Sequence, residues 1–204
     1  MPPCVGLVTL ALIAFSPVAD PAAATANKST ATKTKTAAKK IAKSNGPEVS
    51  PAGDIPDNQA FVPYAPPTGK YVVSVPEGWA RTENGGAISF TDKLNTIRME
   101  TVPASAEPSV STAISKEFPL VQKTEKVLSV PKASTVKRTA GTSVLVTYER
   151  LGAPNAVTGK TTRESVERYE FWRPGTEVIL TLSGPVGADN VDPWKIVTNS
   201  FGWT

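Results

Sequence analysis

From residue 58 onward, apolar and polar residues mostly alternate, and period two is the signature of half-buried strands. Tyr71-Val72-Val73-Ser74-Val75 is the first such run, closed by Pro76, after which Pro76-Glu77-Gly78-Trp79 turns the chain. Ala87 to Thr91 and Thr96 to Val102 flank a short turn around Asp92 to Asn95. They predict a hairpin with Ile88 and Phe90 on one face, met by Ile97 and Met99. Ser134 to Thr139 and Ser143 to Arg150 form a second pair across Ala140-Gly141, with Val144, Val146 and Tyr148 on one side. The stretch from Leu151 to Thr161 holds Gly152, Pro154, Asn155 and Gly159 and predicts a long loop. Arg163 to Trp172 and Glu177 to Ser183 make a third pair. Arg173-Pro174-Gly175-Thr176 between them places proline and glycine where a type II turn needs them.

The period changes to helical twice. Val110, Ala113, Ile114 and Phe118 predict a helix that opens near Pro108 and is ended by Pro119. At the end of the chain Asp192 can cap a helix, Pro193 takes its first position and Val191 can staple to Ile196. Trp194, Val197 and Phe201 then form the stripe that docks on the sheet, and Trp79, Trp194 and Phe201 are the expected core anchors. Strand pairs, a helix, more strand pairs and a closing helix predict an α+β sandwich: a single antiparallel sheet with helices packed on it.

The first 57 residues follow neither pattern. Val5 to Phe15 is a short apolar run of 11 residues. As a helix it would reach roughly 16 Å, short of the ~30 Å hydrocarbon core. It reads as the centre of a signal peptide spanning residues 1–26, cleaved after Ala24-Thr25-Ala26; an uncleaved anchor is the alternative. Met1-Pro2-Pro3-Cys4 departs from that pattern by carrying no Lys or Arg. Residues 27–57 carry six lysines against three acids among Ala, Thr, Ser and Pro, with no aromatic residue. Such a composition cannot offset its chain entropy and predicts a disordered linker. As a solvated spacer it would hold the domain, residues 58–204, off a surface; as an adhesive it would contact anionic membrane or wall polymer. Nucleic acid is not an expected partner, since the lysines are not interleaved with aromatic residues.

Composition narrows the chemistry. The sequence has no histidine, and its one cysteine, Cys4, leaves with a cleaved signal. Serine and cysteine triads, thiolate metal sites and disulfides are therefore not expected, and no cofactor is implied. Gly141-Thr142-Ser143 reads as a turn before a strand, not a nucleophile. Glu164, Glu167 and Glu170 alternate with Arg163 and Arg168 on one strand. Glu164, Arg168 and Glu170 share a face while Glu167 points away, so solvated cross-strand ion pairs are the expected role, with glycoside hydrolysis by paired acids the competitor. Asp189, Asn190 and Asp192 read as helix capping, with a hard cation such as Ca²⁺ the minor alternative. Trp172 and Arg173, beside a hairpin tip, are the expected partner contact if the ring is exposed.

Pro76-Glu77-Gly78-Trp79, the hairpin with Phe90 and Asp92, Tyr169-Glu170-Phe171 and the closing Trp194 and Ser200-Phe201 resemble the PsbP-like fold, named for an extrinsic subunit of photosystem II. The resemblance runs from about Tyr64 to Trp203. Leu182-Ser183-Gly184-Pro185 and the Ala- and Lys-rich leader look closer to its actinobacterial exported, lipoprotein-like branch. Cys4 precedes the apolar run instead of following it, which departs from lipoproteins. The resemblance implies a binding or assembly module. The overall expectation is an exported, non-enzymatic module of the bacterial cell envelope, its partner an envelope protein or small ligand. A carboxylate-dependent hydrolase of envelope polymers and a small-ligand or lipid carrier are the alternatives.

Overall fold

The computed structural model describes residues 52–67, 69–155 and 157–204. The expected signal peptide and nearly all of the linker lie outside the described residues. The domain begins earlier than residue 58. Ile55, assigned to the linker by its composition, is buried in the core, and the Gly53 carbonyl accepts hydrogen bonds from both Asn95 and Asn190.

Among the described residues, eleven strands form two sheets. β1 (Phe61–Tyr64), β2 (Tyr71–Pro76) and β11 (Gly202–Trp203) make a small sheet in the order β1-β2-β11. The large sheet runs β3 (Ala80–Asn84), β4 (Ala87–Asp92), β5 (Asn95–Val102), β10 (Thr176–Pro185), β9 (Arg163–Arg173) and β8 (Gly141–Leu151). Two short strands, β6 (Lys126–Val127) and β7 (Lys132–Arg138), share the free edge of β8. The pairs are antiparallel.

The expected single sheet is thus corrected to two. β2 joins β1 and β11, not the β4–β5 hairpin, because its buried Tyr71, Val73 and Val75 face the large sheet across the core. β1 was missed because Pro63 breaks its pattern; proline is tolerated there because β1 is an edge strand. β3 was missed because Ala80-Arg81-Thr82-Glu83-Asn84 is exposed at every position and shows no alternation.

The main core lies on one face of the large sheet. Ile88, Phe90, Ile97, Met99, Tyr169, Phe171, Val178, Leu180 and Leu182 point into it, against the small sheet and the closing helix α3 (Val191–Ser200). The registers Ile88↔Met99 and Phe90↔Ile97 are those of the expected hairpin. Phe201 is fully buried and stacks on Phe171 at 4.1 Å between ring centres, with Tyr71 at 5.4 Å and Trp203 edge-on at 5.2 Å. Trp194 is buried in the same core, and Trp79 is half-buried against it.

Three details of the helices are corrected. Pro119 does not end the first helix. The run continues as α1 (Val110–Thr112), a wide π turn (Ala113–Glu117) and α2 (Phe118–Thr124). Phe118 donates its N–H five residues back to Ala113, so the turn widens just ahead of the proline that has no N–H to give. The closing helix is not capped by Asp192: Asn190 holds the cap position with its side chain turned inward, and Pro193 is the third helical residue. Val191 and Ile196 are 70% and 48% exposed and form no staple.

Candidate functional site

The other face of the large sheet is mixed. Even-numbered residues of β9, from Glu164 through Val166, Arg168 and Glu170 to Trp172, point this way. Val144, Val146 and Tyr148 of β8 lie opposite Glu170, Arg168 and Val166, and Ile179 and Thr181 of β10 flank Glu170 and Arg168 from the other side. Ala113 and Phe118 of the helical run cover Val144, Val146, Tyr148 and Val166 as a second, smaller core, with Phe118 edge-on to Tyr148 at 5.0 Å. Beside that cover lies a groove of about 730 Å³ between α2 and the sheet, with Leu120, Val121 and Ile179 as its apolar wall.

Charged groups line the rest. Arg150 binds Glu125 and Glu164 at 2.9 Å each, and the Tyr148 hydroxyl donates to Glu125 at 2.8 Å. Burial, reinforced by the Glu125 charge, pushes the Tyr148 phenol well above its ordinary range. Arg98 pairs with Glu100 at 2.7 Å toward the opposite side.

At the floor, Arg168 donates to Glu117 Oε2 and Glu170 Oε1, each at 3.2 Å. Glu117 reaches it from the last residue of the π turn. Glu177 joins from the start of β10. Ligand oxygens of Glu117, Glu170 and Glu177 lie within 4.8 Å of one another. Glu170 is 1% and Glu177 6% exposed, and Glu170 Oε2 and Glu177 Oε1 are buried without a hydrogen-bond partner. Burial pushes the Glu170 carboxyl up to about 8, with Arg168 opposing the rise and Glu117 adding to it. Burial also raises Glu177 to about 7, again with Glu117 adding and Arg168 opposing. Three acids around one guanidinium do not all ionise freely in so dry a place.

Glu164 does pair across the strands with Arg150, but the pair is part-buried and not on a solvated surface, and Glu170 is sealed under the helical run. Glu167 points to the opposite face and accepts from the Tyr169 hydroxyl at 2.8 Å. Arg163 pairs with Glu149. Two acids from different strands do converge, as a hydrolase would require, yet neither Glu170 nor Glu177 is open enough for a glycosidic bond to reach.

Asp189, Asn190 and Asp192 form no cation set. Asn190 Oδ1 accepts from Ile55, its amide donates to Gly53 and Asn95, and Asp54 accepts from the Asp189 N–H. Trp172 and Arg173 leave β9 on opposite faces. The half-buried Trp172 indole donates to the Ala104 carbonyl at 3.3 Å, while Arg173 lies over the Trp203 ring at 4.7 Å and donates to Thr204. They do not make one exposed patch.

Sequence reasoning missed Glu117 and Glu177 as site residues. Glu177 was within reach: a two-residue turn at Pro174-Gly175 sets Glu170 opposite Ile179, which makes Glu177 a diagonal neighbour on the same face. Glu117 had no such signal, because the π turn that aims it is invisible to a 3.6-residue period.

No family model matches the chain, and no curated protein matches it. Among solved structures it is similar to the cyanobacterial PsbP (CyanoP) of Synechocystis, at 13% identity over 76% of this chain and 100% of that one, with a TM-score of 0.44. It is also similar to the Saccharomyces cerevisiae Ran-binding protein Mog1p, at 10% identity over 71% of this chain and 95% of that one, TM-score 0.46. A Bacteroides thetaiotaomicron protein matches at 15% identity over 70% of this chain, TM-score 0.45; the matched part spans about half of that protein, 48%. At these identities and scores no role passes from any of the three to this chain.

Proposed function

We propose that this chain is an exported, non-enzymatic binding module of a bacterial cell envelope, and that the groove above Arg168 is its binding site. The observation that carries the reading is the groove's lining: Glu177, nearly inaccessible and with an oxygen lacking a partner, borders a space of about 730 Å³, and the equally buried Glu170 beside it borders the neighbouring cavity of about 370 Å³. An unpaired buried polar atom in a folded chain calls for a partner from outside the fold. The apolar run at Val5 to Phe15 supports export, and the Lys-rich linker supports a domain held near, or against, an anionic surface. The absence of histidine and the poor access to Glu170 and Glu177 support recognition over turnover. Membership of the actinobacterial branch belongs to the same proposal, without a lipid on Cys4. Among the described residues no helix is long and apolar enough to cross a membrane.

The test compares the full-length chain with Leu120→Asp, a change at a residue 58% exposed on the groove wall, in capture from envelope extract. Trp172→Ala forms a second arm, because Trp172 lines a neighbouring cavity of about 370 Å³ on the same face. Loss of the captured partner or ligand with Leu120→Asp supports the groove. Equal capture by wild type and Leu120→Asp removes it. Recovery of the product with its leader from the cytoplasm alone would remove export.

A further inference from the structure

The groove's floor has a composition that selects its occupant. Glu117, Glu170 and Glu177 bring three carboxylates from three separate elements: the π turn, β9 and β10. Their ligand oxygens lie within 4.8 Å of one another. Oxygens that share a Ca²⁺ at about 2.4 Å each are separated by at most about 4.8 Å, when they lie on opposite sides of the ion. No thiolate or imidazole is available from the domain, and the three converging donors are oxygens, which suits a hard cation and disfavours zinc or copper.

The charge balance points the same way. Three carboxylates against one guanidinium leave two negative charges, the complement of one divalent ion. Arg168 occupies Glu117 Oε2 and Glu170 Oε1, and the Glu117 carboxyl itself meets that of Glu170. Arg168 therefore braces two of the three acids from behind, as outer groups orient metal ligands elsewhere. Glu177 is the sharpest observation. Its side chain makes no ion pair and no hydrogen bond among the described residues, although it is 94% buried and its carboxylate faces the other two. A carboxylate buried for packing alone would have been more stable as a glutamine or a leucine. Glu117 and Glu177 line the groove, so water can complete the coordination from that side.

We infer that Glu117, Glu170 and Glu177 hold one hard divalent cation, of the Ca²⁺ class, at the floor of the groove, with Arg168 positioning two of the ligands. The inference rests on the reading of this groove as a binding site and names what its floor takes. Water from the groove would complete the ion's coordination, and metal uptake would release the protons that the acids hold in its absence.

Isothermal titration of the full-length chain with Ca²⁺, and separately with Mn²⁺, tests this. One ion per chain is expected, with Kd about 0.1–1 mM, the range of extracellular calcium modules. Glu177→Gln keeps the shape and removes a buried charge, so it should fold, which a urea transition verifies. It should weaken binding about ten-fold or more, whereas Glu83→Gln, at an exposed acid of β3, should change nothing. The thermal midpoint should rise with Ca²⁺ in wild type and not in Glu177→Gln. Absence of saturable binding at about 5 mM, or equal affinity in wild type and Glu177→Gln, would overturn the site. Leu120→Asp separates the two readings. It should abolish capture of the envelope ligand while leaving ion uptake intact. Ion uptake lost only in Glu177→Gln, with capture unaffected by Leu120→Asp, would remove the groove reading and leave the ion.

Discussion

Replacing Asn190 by alanine should release the first residues of the domain. Asn190 is 3% exposed and makes three side-chain hydrogen bonds that tie together segments far apart in sequence. Its Oδ1 accepts from the Ile55 N–H at 2.8 Å, and its Nδ2 donates to the Gly53 carbonyl and to Asn95 Oδ1, both at 3.0 Å. Each bond is worth about 1 kcal/mol net, and the orphaned Ile55 N–H adds about 1–3 kcal/mol more if water cannot reach it. The Gly53 carbonyl keeps its bond from Asn95 at 2.9 Å, which limits the loss. The sum is about 3–5 kcal/mol, or roughly 6–20 °C in Tm for a domain of this size. Urea unfolding at constant m reads the first quantity. Hydrogen exchange at the Ile55 amide reads the second consequence, since its protection should fall further than that of β10. Gly184→Ala attacks the same network from outside, because an added Cβ would come within 2.9 Å of Asn190 Nδ2 and closer still to Asn95 Oδ1. The double variant should therefore cost much less than the two single losses added together. A loss below about 1 kcal/mol for Asn190→Ala, or simple additivity with Gly184→Ala, would refute the reasoning.

Phe201→Ala should cost about 3–5 kcal/mol in urea unfolding, because the ring is buried between Phe171, Tyr71 and Trp203 and its removal leaves a cavity that α3 and β11 cannot both close. A cost under about 1 kcal/mol would show that the closing segment is not docked as described. In the presence of chelator, Glu170 and Glu177 should make stability fall as pH rises from about 4.5 to about 8: the unfolded chain gives up these protons at lower pH than the folded one, so the folded state binds more protons across that window. Glu170→Gln should flatten the fall relative to wild type in pH-dependent urea melts; superimposable profiles would show that burial does not raise the Glu170 carboxyl. Pro119→Ala supplies the N–H whose lack accompanies the wide turn. Regularisation of that turn should draw Glu117 off Arg168 and weaken Ca²⁺ binding, with little change in unfolding free energy; unaltered binding would separate the π turn from the site.

Much of the fold was legible because burial on one face writes itself as period two. The alternations in β4, β5, β8 and β10 gave both the strands and the side that enters the core, and Pro174-Gly175 gave the β9–β10 register. What escaped has particular causes. β1 and β3 lack the alternation, one through Pro63 and the other through full exposure, so only their tertiary partners define them. The single-sheet expectation failed because a sequence pattern tells which residues are inside, not which strand each one joins. Asp192 looked like a cap because cap chemistry is local, whereas Asn190 is fixed by Gly53, Ile55 and Asn95 from distant positions. The candidate site was half legible. The alternation puts Glu170 and Arg168 on one face, but their burial depends on a helical run that continues past Pro119, where a proline ordinarily signals a stop.

Anomalous diffraction from crystals of the full-length chain grown or soaked in Mn²⁺ would locate the ion directly. A single strong peak about 2–2.5 Å from carboxylate oxygens of Glu117, Glu170 and Glu177, absent from Glu177→Gln crystals, is the expected result. An empty floor, with manganese only at exposed acids such as Glu83 or Asp192, would contradict it.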